Sequence, residues 1–204
     1  SSVFSKIKTQ HTFGSALIDA KWYPFMNISD PASCCYITTC RDQPIHLWQY
    51  SNDNTNDVTP APVSRCSYRC YNQYDEIETC QALSFNKTGD KIYAGNRSMI
   101  RVFDVNRPGR DCQEIATVRY KGDPMAAFHG LISTLTFTPP ACSMHIYACG
   151  TYTNNIGVFQ EGKETTPILA LRDVPVGSGI TCMRWSPDGN LLWVGGRRGH
   201  DIIC

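Results

Sequence analysis

The chain has 204 residues, with 18% charged and 11% aromatic side chains. Low charge with many aromatics excludes a disordered polymer. A balance of 19 basic against 18 acidic groups excludes bulk electrostatic binding of nucleic acid, so any such contact must come from local placement of Arg and Lys. Eleven cysteines, odd in number and partly set in apolar runs (Cys80, Cys149, Cys182), read as small hydrophobes in a reducing, intracellular setting. Cys66 and Cys70 stand four apart without a second pair at ligand spacing, which reads as strand residues and not as a zinc site. No apolar run approaches the roughly 20 residues of a membrane-spanning helix, so neither a membrane partner nor a cofactor is expected.

The first unit opens with Ala20-Lys21-Trp22-Tyr23-Pro24, a strand running into a turn. Cys35-Tyr36-Ile37-Thr38-Thr39-Cys40 and Pro44-Ile45-His46-Leu47-Trp48 supply a second and third strand, and 63–71 an outer one. The polar stretch 51–62 between them reads as a solvated loop.

The second unit repeats the design. Leu83-Ser84-Phe85 ends in an aromatic, and Asn86-Lys87-Thr88-Gly89-Asp90 turns the chain. Ile92-Tyr93-Ala94-Gly95 and Ile100-Arg101-Val102-Phe103 follow, with 114–120 as the outer strand. The third unit has Leu135-Thr136-Phe137, then Ile146-Tyr147-Ala148-Cys149-Gly150, then Ile156-Gly157-Val158-Phe159, with 167–171 outermost. The fourth has Met183-Arg184-Trp185, the turn Ser186-Pro187-Asp188-Gly189, and Leu192-Trp193-Val194-Gly195-Gly196. Ile202-Ile203-Cys204 begins its third strand, a position at which the repeat predicts further chain.

Trp48, Phe103 and Phe159 recur at intervals of 55 and 56 residues. A sandwich also spaces short strands regularly, but it does not place the same aromatic and the same turn at a fixed phase. The repeat therefore predicts an all-β fold, a WD-repeat β-propeller with about four blades of a seven-bladed ring. The expected blades are 15–71, 77–120, 130–171 and, incomplete, 178–204. The period exceeds the usual 40–45 residues through insertions at 51–62, 106–111 and 121–128.

Arg107-Pro108-Gly109-Arg110-Asp111-Cys112 is not something a WD blade needs. Together with Pro44-Ile45-His46-Leu47-Trp48, Ile146-Tyr147-Ala148-Cys149-Gly150, and Tyr71-Asn72 with Asp75-Glu76, it resembles the telomerase Cajal body protein family from about Lys21 to Cys204. The first-blade turn, without Pro-Asp-Gly, and two long loops depart from the family pattern. The resemblance implies a scaffold that recognises a loop box in small nuclear or Cajal body RNAs, telomerase RNA included. It also implies box H/ACA ribonucleoprotein partners, further protein partners, and residence in the nucleus and Cajal body with a cytoplasmic pool. The alternative is a generic protein–protein scaffold without direct RNA binding.

The turn between the second and third strands of each blade opens on the ring face of the inter-blade loops. Arg41, Arg97 and Arg198 occupy nearly one slot of that turn, with Arg197 beside the last, and the remaining blade offers Tyr152 and Asn154. Guanidinium groups pair with phosphates bidentately, and a tyrosine ring stacks an unpaired base. These six residues are the RNA-binding candidates, weighed against turns merely held by local bonds. Arg107 and Arg110 are expected to pin their own loop to Asp104 and Asp111, on the opposite face or the rim. No nucleophile–base motif, Gly-rich phosphate loop or recurrent carboxylate pair marks an enzyme.

Overall fold

The computed structural model describes residues 11–50, 62–117, 129–174, 177–197 and 202–203. The described chain has fifteen strands in four antiparallel sheets, each sheet ordered as the sequence runs. Blade 1 holds β1 (Leu17–Trp22), β2 (Cys35–Cys40), β3 (Ile45–Gln49) and β4 (Val63–Tyr68). Blade 2 holds β5 (Ala82–Phe85), β6 (Lys91–Gly95), β7 (Met99–Asp104) and β8 (Gln113–Ala116). Blade 3 holds β9 (Ile132–Phe137), β10 (Ile146–Thr151), β11 (Ile156–Gln160) and β12 (Leu169–Leu171). Blade 4 holds β13 (Ile180–Trp185), β14 (Leu192–Gly196) and β15 (Ile202–Ile203). These are four successive blades of a β-propeller, and the outer strands are shorter than the candidate segments.

A single blade buries too little to be stable alone, so the core lies between blades. Three hydrophobic clusters fill the three junctions. Ile37, Tyr68, Ile92 and Phe103 join blades 1 and 2. Tyr93, Ile132, Tyr147 and Phe159 join blades 2 and 3, and Ala148, Ile180, Met183 and Val194 join blades 3 and 4. Each fully buried side chain of this size stabilises the fold by about 1.5–3 kcal/mol. Gly95 and Gly150 end the second strands because the next blade comes so close. A Cβ at Gly95 would meet Ile132 Cγ2 at 2.7 Å, and one at Gly150 would meet Ile180 Cγ2 at 2.8 Å.

The recurring aromatics hold equivalent places, since Trp48 pairs with Tyr36, Phe103 with Ile92 and Phe159 with Tyr147. Phe103 and Phe159 are buried, whereas Trp48 is half-buried on the side of blade 1 away from blade 2. One apparent equivalence shifts by a residue. Phe85 pairs with Ile92 but Phe137 pairs with Tyr147, so Tyr147 corresponds to Ile92 and not to Tyr93. The two tyrosines therefore point into the same junction from opposite sides, with ring centroids 5.0 Å apart. Cys182, expected in a buried strand, is exposed; its equivalent Ala82 is buried against the next blade, and no described blade covers that face of blade 4.

Candidate nucleic-acid interface

In every blade the second strand ends, the third begins and the first starts at one end of the sheet. Leu17 pairs with Cys40, Ala82 with Gly95 and Ile180 with Gly196. The turns that follow the second strands bond to the segments leading into first strands. Arg41 N–H donates to Ala16 O (3.0 Å), Tyr152 N–H to Leu131 O (3.2 Å) and Arg197 N–H to Gly179 O (3.0 Å), while Arg97 bridges to Leu131. The backbone thus presents Arg41, Arg97, Tyr152 and Arg197 at corresponding positions on one ring face. All four are exposed. Among the described residues no carboxylate lies within ion-pair distance of Arg41, Arg97 or Arg197. Arg198 lies outside the described residues.

Tyr152 and Arg197 come together in one cavity of about 570 Å³, which Ser178, Gly179 and Thr181 complete. It lies where blade 3 meets blade 4. Sequence reasoning found the tyrosine and the arginine but not the hydroxyls, because the 177–181 segment reads only as a loop before a strand. The cavity sets an aromatic face, the Ser178 hydroxyl and a guanidinium without a carboxylate partner among the described residues around one volume, while Thr181 Oγ1 donates to Gly195 O (3.4 Å). That combination can stack a planar ring, donate hydrogen bonds and neutralise an anion.

Asn154 stands in the same turn, and its side chain is engaged by the protein. Its Nδ2 donates to Gly177 O (3.1 Å) and its Oδ1 accepts the Gly179 N–H (2.7 Å). The corresponding turns are also tied to the next blade. Asp42 N–H donates to Thr79 Oγ1 (2.8 Å), and Ser98 Oγ accepts the Gly130 N–H (3.0 Å). Local bonds also hold the turns, such as Asn154 N–H to Thr151 O (3.2 Å) and Asn96 N–H to Met99 O (2.9 Å), and the ties to the neighbouring blade are added to them.

Arg107 pairs with Asp104 at 3.9 Å, as expected. Arg110 does not reach Asp111 but pairs with Asp75 at 3.1 Å, with its guanidinium 4.8 Å from the centre of the Tyr71 ring. The turn is drawn to blade 1 by Gly109, whose N–H donates to Ser67 O (2.9 Å) and whose O accepts the Arg69 N–H (2.8 Å). Two segments that carry the family resemblance, 71–76 and 107–112, thereby meet on the rim beside β4. Asn72 Oδ1 accepts the N–H groups of Tyr74 and Glu76 and holds a hairpin whose tip, Tyr74, is 74% exposed.

No family model matches the chain. A curated relative, "Telomerase Cajal body protein 1" of Mesocricetus auratus, is 33% identical over 191 residues, covering 94% of this chain and 32% of that protein. "Guanine nucleotide-binding protein negative regulator 1" of Schizosaccharomyces pombe is 27% identical over 188 residues, covering 89% of this chain and 43% of that protein. Among solved structures, a chain of the COPII outer coat vertex on membranes superposes with a TM-score of 0.64 at 14% identity, covering 91% of this chain and 45% of that one. That last likeness speaks for the fold alone.

Proposed function

We propose, from the membership of this chain in the telomerase Cajal body protein family, that it is the RNA-binding part of a ribonucleoprotein scaffold. The chain spans 32% of the length of the Mesocricetus auratus protein, so what the whole protein does belongs to the proposal. The ligand is the single-stranded loop of a small nuclear, Cajal body or telomerase RNA, held on the ring face that carries Arg41, Arg97, Tyr152 and Arg197. Box H/ACA proteins and other proteins of the particle are its partners, and its setting is the nucleus and Cajal body with a cytoplasmic pool. Its role is binding and delivery, not catalysis.

The observation that carries this reading is the recurrence of exposed, unpaired guanidinium groups in corresponding turns, with Tyr152 in the one blade that lacks one. Side chains serving only the turn would point at it, whereas here backbone groups and Asp42, Ser98 and Asn154 already hold the turns. Phosphate neutralisation at these sites releases counterions, so affinity should fall with salt by a slope of about −0.7 per contact for single strands. In a titration of the full-length protein with an RNA hairpin at two salt concentrations, the Arg41, Arg97, Arg197 and Arg198 → Ala quadruple variant should bind more weakly. Its salt slope should be shallower by roughly two to three units, with an unchanged melting temperature. Equal affinity and an equal slope would remove this face from the account.

A second reading is a protein scaffold without RNA, favoured by the rigid Tyr74 hairpin on the rim and by a relative named for regulation of a guanine nucleotide-binding protein. A full-length protein that captures proteins but no RNA, and loses them on Tyr74→Ala, would favour it.

A further inference from the structure

Asp42, Ser98 and Asn154 adopt left-handed backbone angles, with φ of 57°, 54° and 60°. Each stands at the point where its blade is tied to the next, but the three ties differ in reach. Asp42 and Ser98 bond to single residues of the following entry segment, Thr79 and Gly130. Asn154 uses both ends of its amide, on Gly177 and on Gly179.

Gly179 is the residue on which the cavity is set. Its carbonyl accepts the Arg197 N–H, and its Cα lies so near Tyr152 that a Cβ would come within 3.1 Å of the ring Cδ1 and of the Tyr152 carbonyl. Its φ of +77° adds a backbone conformation that side chains disfavour. One amide side chain therefore fixes the residue that packs against the aromatic face and bonds the backbone of Arg197. The volume of about 570 Å³ falls within the range of small-ligand sites, roughly 300–1,000 Å³.

We propose that this cavity takes one unpaired nucleotide, base against Tyr152 and phosphate at Arg197, and that Asn154 is its positioning residue and not a contact. This rests on the reading of the ring face as an RNA surface. While it holds Gly177 and Gly179, the Asn154 amide is fixed in orientation by the protein at both of its ends. Its effect on binding comes through the fraction of molecules whose blade 3–4 junction is set for the nucleotide, and apparent affinity falls in proportion to that fraction. Such a loss is the same for every ligand of the cavity. A lost stacking contact instead alters the preference among bases, and a lost phosphate contact alters the salt slope.

The experiment uses full-length protein and a set of RNA hairpins that differ in one loop base, titrated at two salt concentrations. Asn154→Ala should weaken all hairpins by one common factor, on the order of tenfold if nine in ten molecules lose the set junction, with base preference and salt slope unchanged. Asn154→Asp, which keeps the acceptor for the Gly179 N–H, should recover part of that loss. Tyr152→Ala should alter base preference, and Arg197→Ala the slope. Ser98→Ala opens the corresponding tie at another junction and should lower the melting temperature with little effect on binding. Wild-type binding by Asn154→Ala, where Tyr152→Ala weakens binding, would overturn the positioning role and leave the RNA reading standing. A base preference altered by Asn154→Ala would make it a contact and also overturn the role. Wild-type behaviour of all three cavity variants would overturn the RNA reading itself.

Discussion

Arg101 and Arg197 carry the same guanidinium in opposite circumstances. Arg101 is buried in β7, where its Nη1 donates to Glu78 Oε2 (2.7 Å), its Nε to Glu114 Oε1 (3.0 Å) and its Nη2 to Tyr71 O (2.7 Å). Burial opposes its charge, but the hydrogen bonds it donates to Glu78 and Glu114 outweigh that and hold its pKa above the ordinary value. Each of its three nitrogens donates within the protein and the group is buried, whereas Arg197 has no such partner among the described residues. Arg101→Ala strands the partly buried Glu78 and the Tyr71 carbonyl. Removing one member of a buried ion pair costs about 3–5 kcal/mol, and a thermal or urea melt of the full-length protein should show a loss of that order. A melt unchanged within about 1 kcal/mol would mean the triad is replaceable by water. Nothing local in Ile100-Arg101-Val102-Phe103 distinguishes this arginine from the others, because its partners lie 13 and 23 residues away in sequence.

At the scale of strands and blades, the repeat was legible wherever one residue type is required by one environment. The aromatic that ends the third strand and the small residues that end the second are examples. The one-residue shift between Tyr93 and Tyr147 was not legible, since Tyr-Ala reads alike in both strands and only pairing with Phe85 or Phe137 fixes the register. The Arg107–Cys112 turn was legible as special but not in its target. Asp111 is near in sequence, whereas Asp75 is brought near by the bond between Gly109 and β4. Of the candidate site, the sequence phase located Tyr152 and Arg197, but it could not show that Asn154 is occupied by the next blade.

The two outermost blade faces follow from the same register. Positions that face the next blade are Ile37, Tyr93, Ala148 and Trp193; Tyr93 is 1% exposed and Trp193 is 45% exposed. Positions that face the preceding blade include Phe85 at 6% and its equivalent Trp22 at 58%. Indoles left open where the internal junctions bury or partly bury their counterparts make these faces adhesive. Residues 1–204 expressed alone are expected to self-associate in analytical ultracentrifugation, while a longer chain carrying further blades stays monomeric. A monodisperse, cooperatively melting monomer of this segment would contradict the reading of these faces as blade junctions.

On the whole molecule, the ring face and the rim divide the work. The rim is closed by pairing within the protein, through Arg110, Asp75 and Tyr71, and it displays one rigid tyrosine. The ring face gathers Tyr152 and Arg197 into a cavity at a blade junction, and its guanidinium groups have no carboxylate partner among the described residues. With a near-neutral net charge, the proposed RNA binding must rest on local placement of charge and not on bulk attraction. Ultraviolet crosslinking of the full-length protein in cells tests this most directly, with the attached RNA sequenced and the adducted peptides mapped. Small nuclear, Cajal body or telomerase RNAs should be enriched, with adducts on the peptides bearing Tyr152 and Arg197. Absence of RNA above background, or adducts confined to other surfaces, would contradict the account.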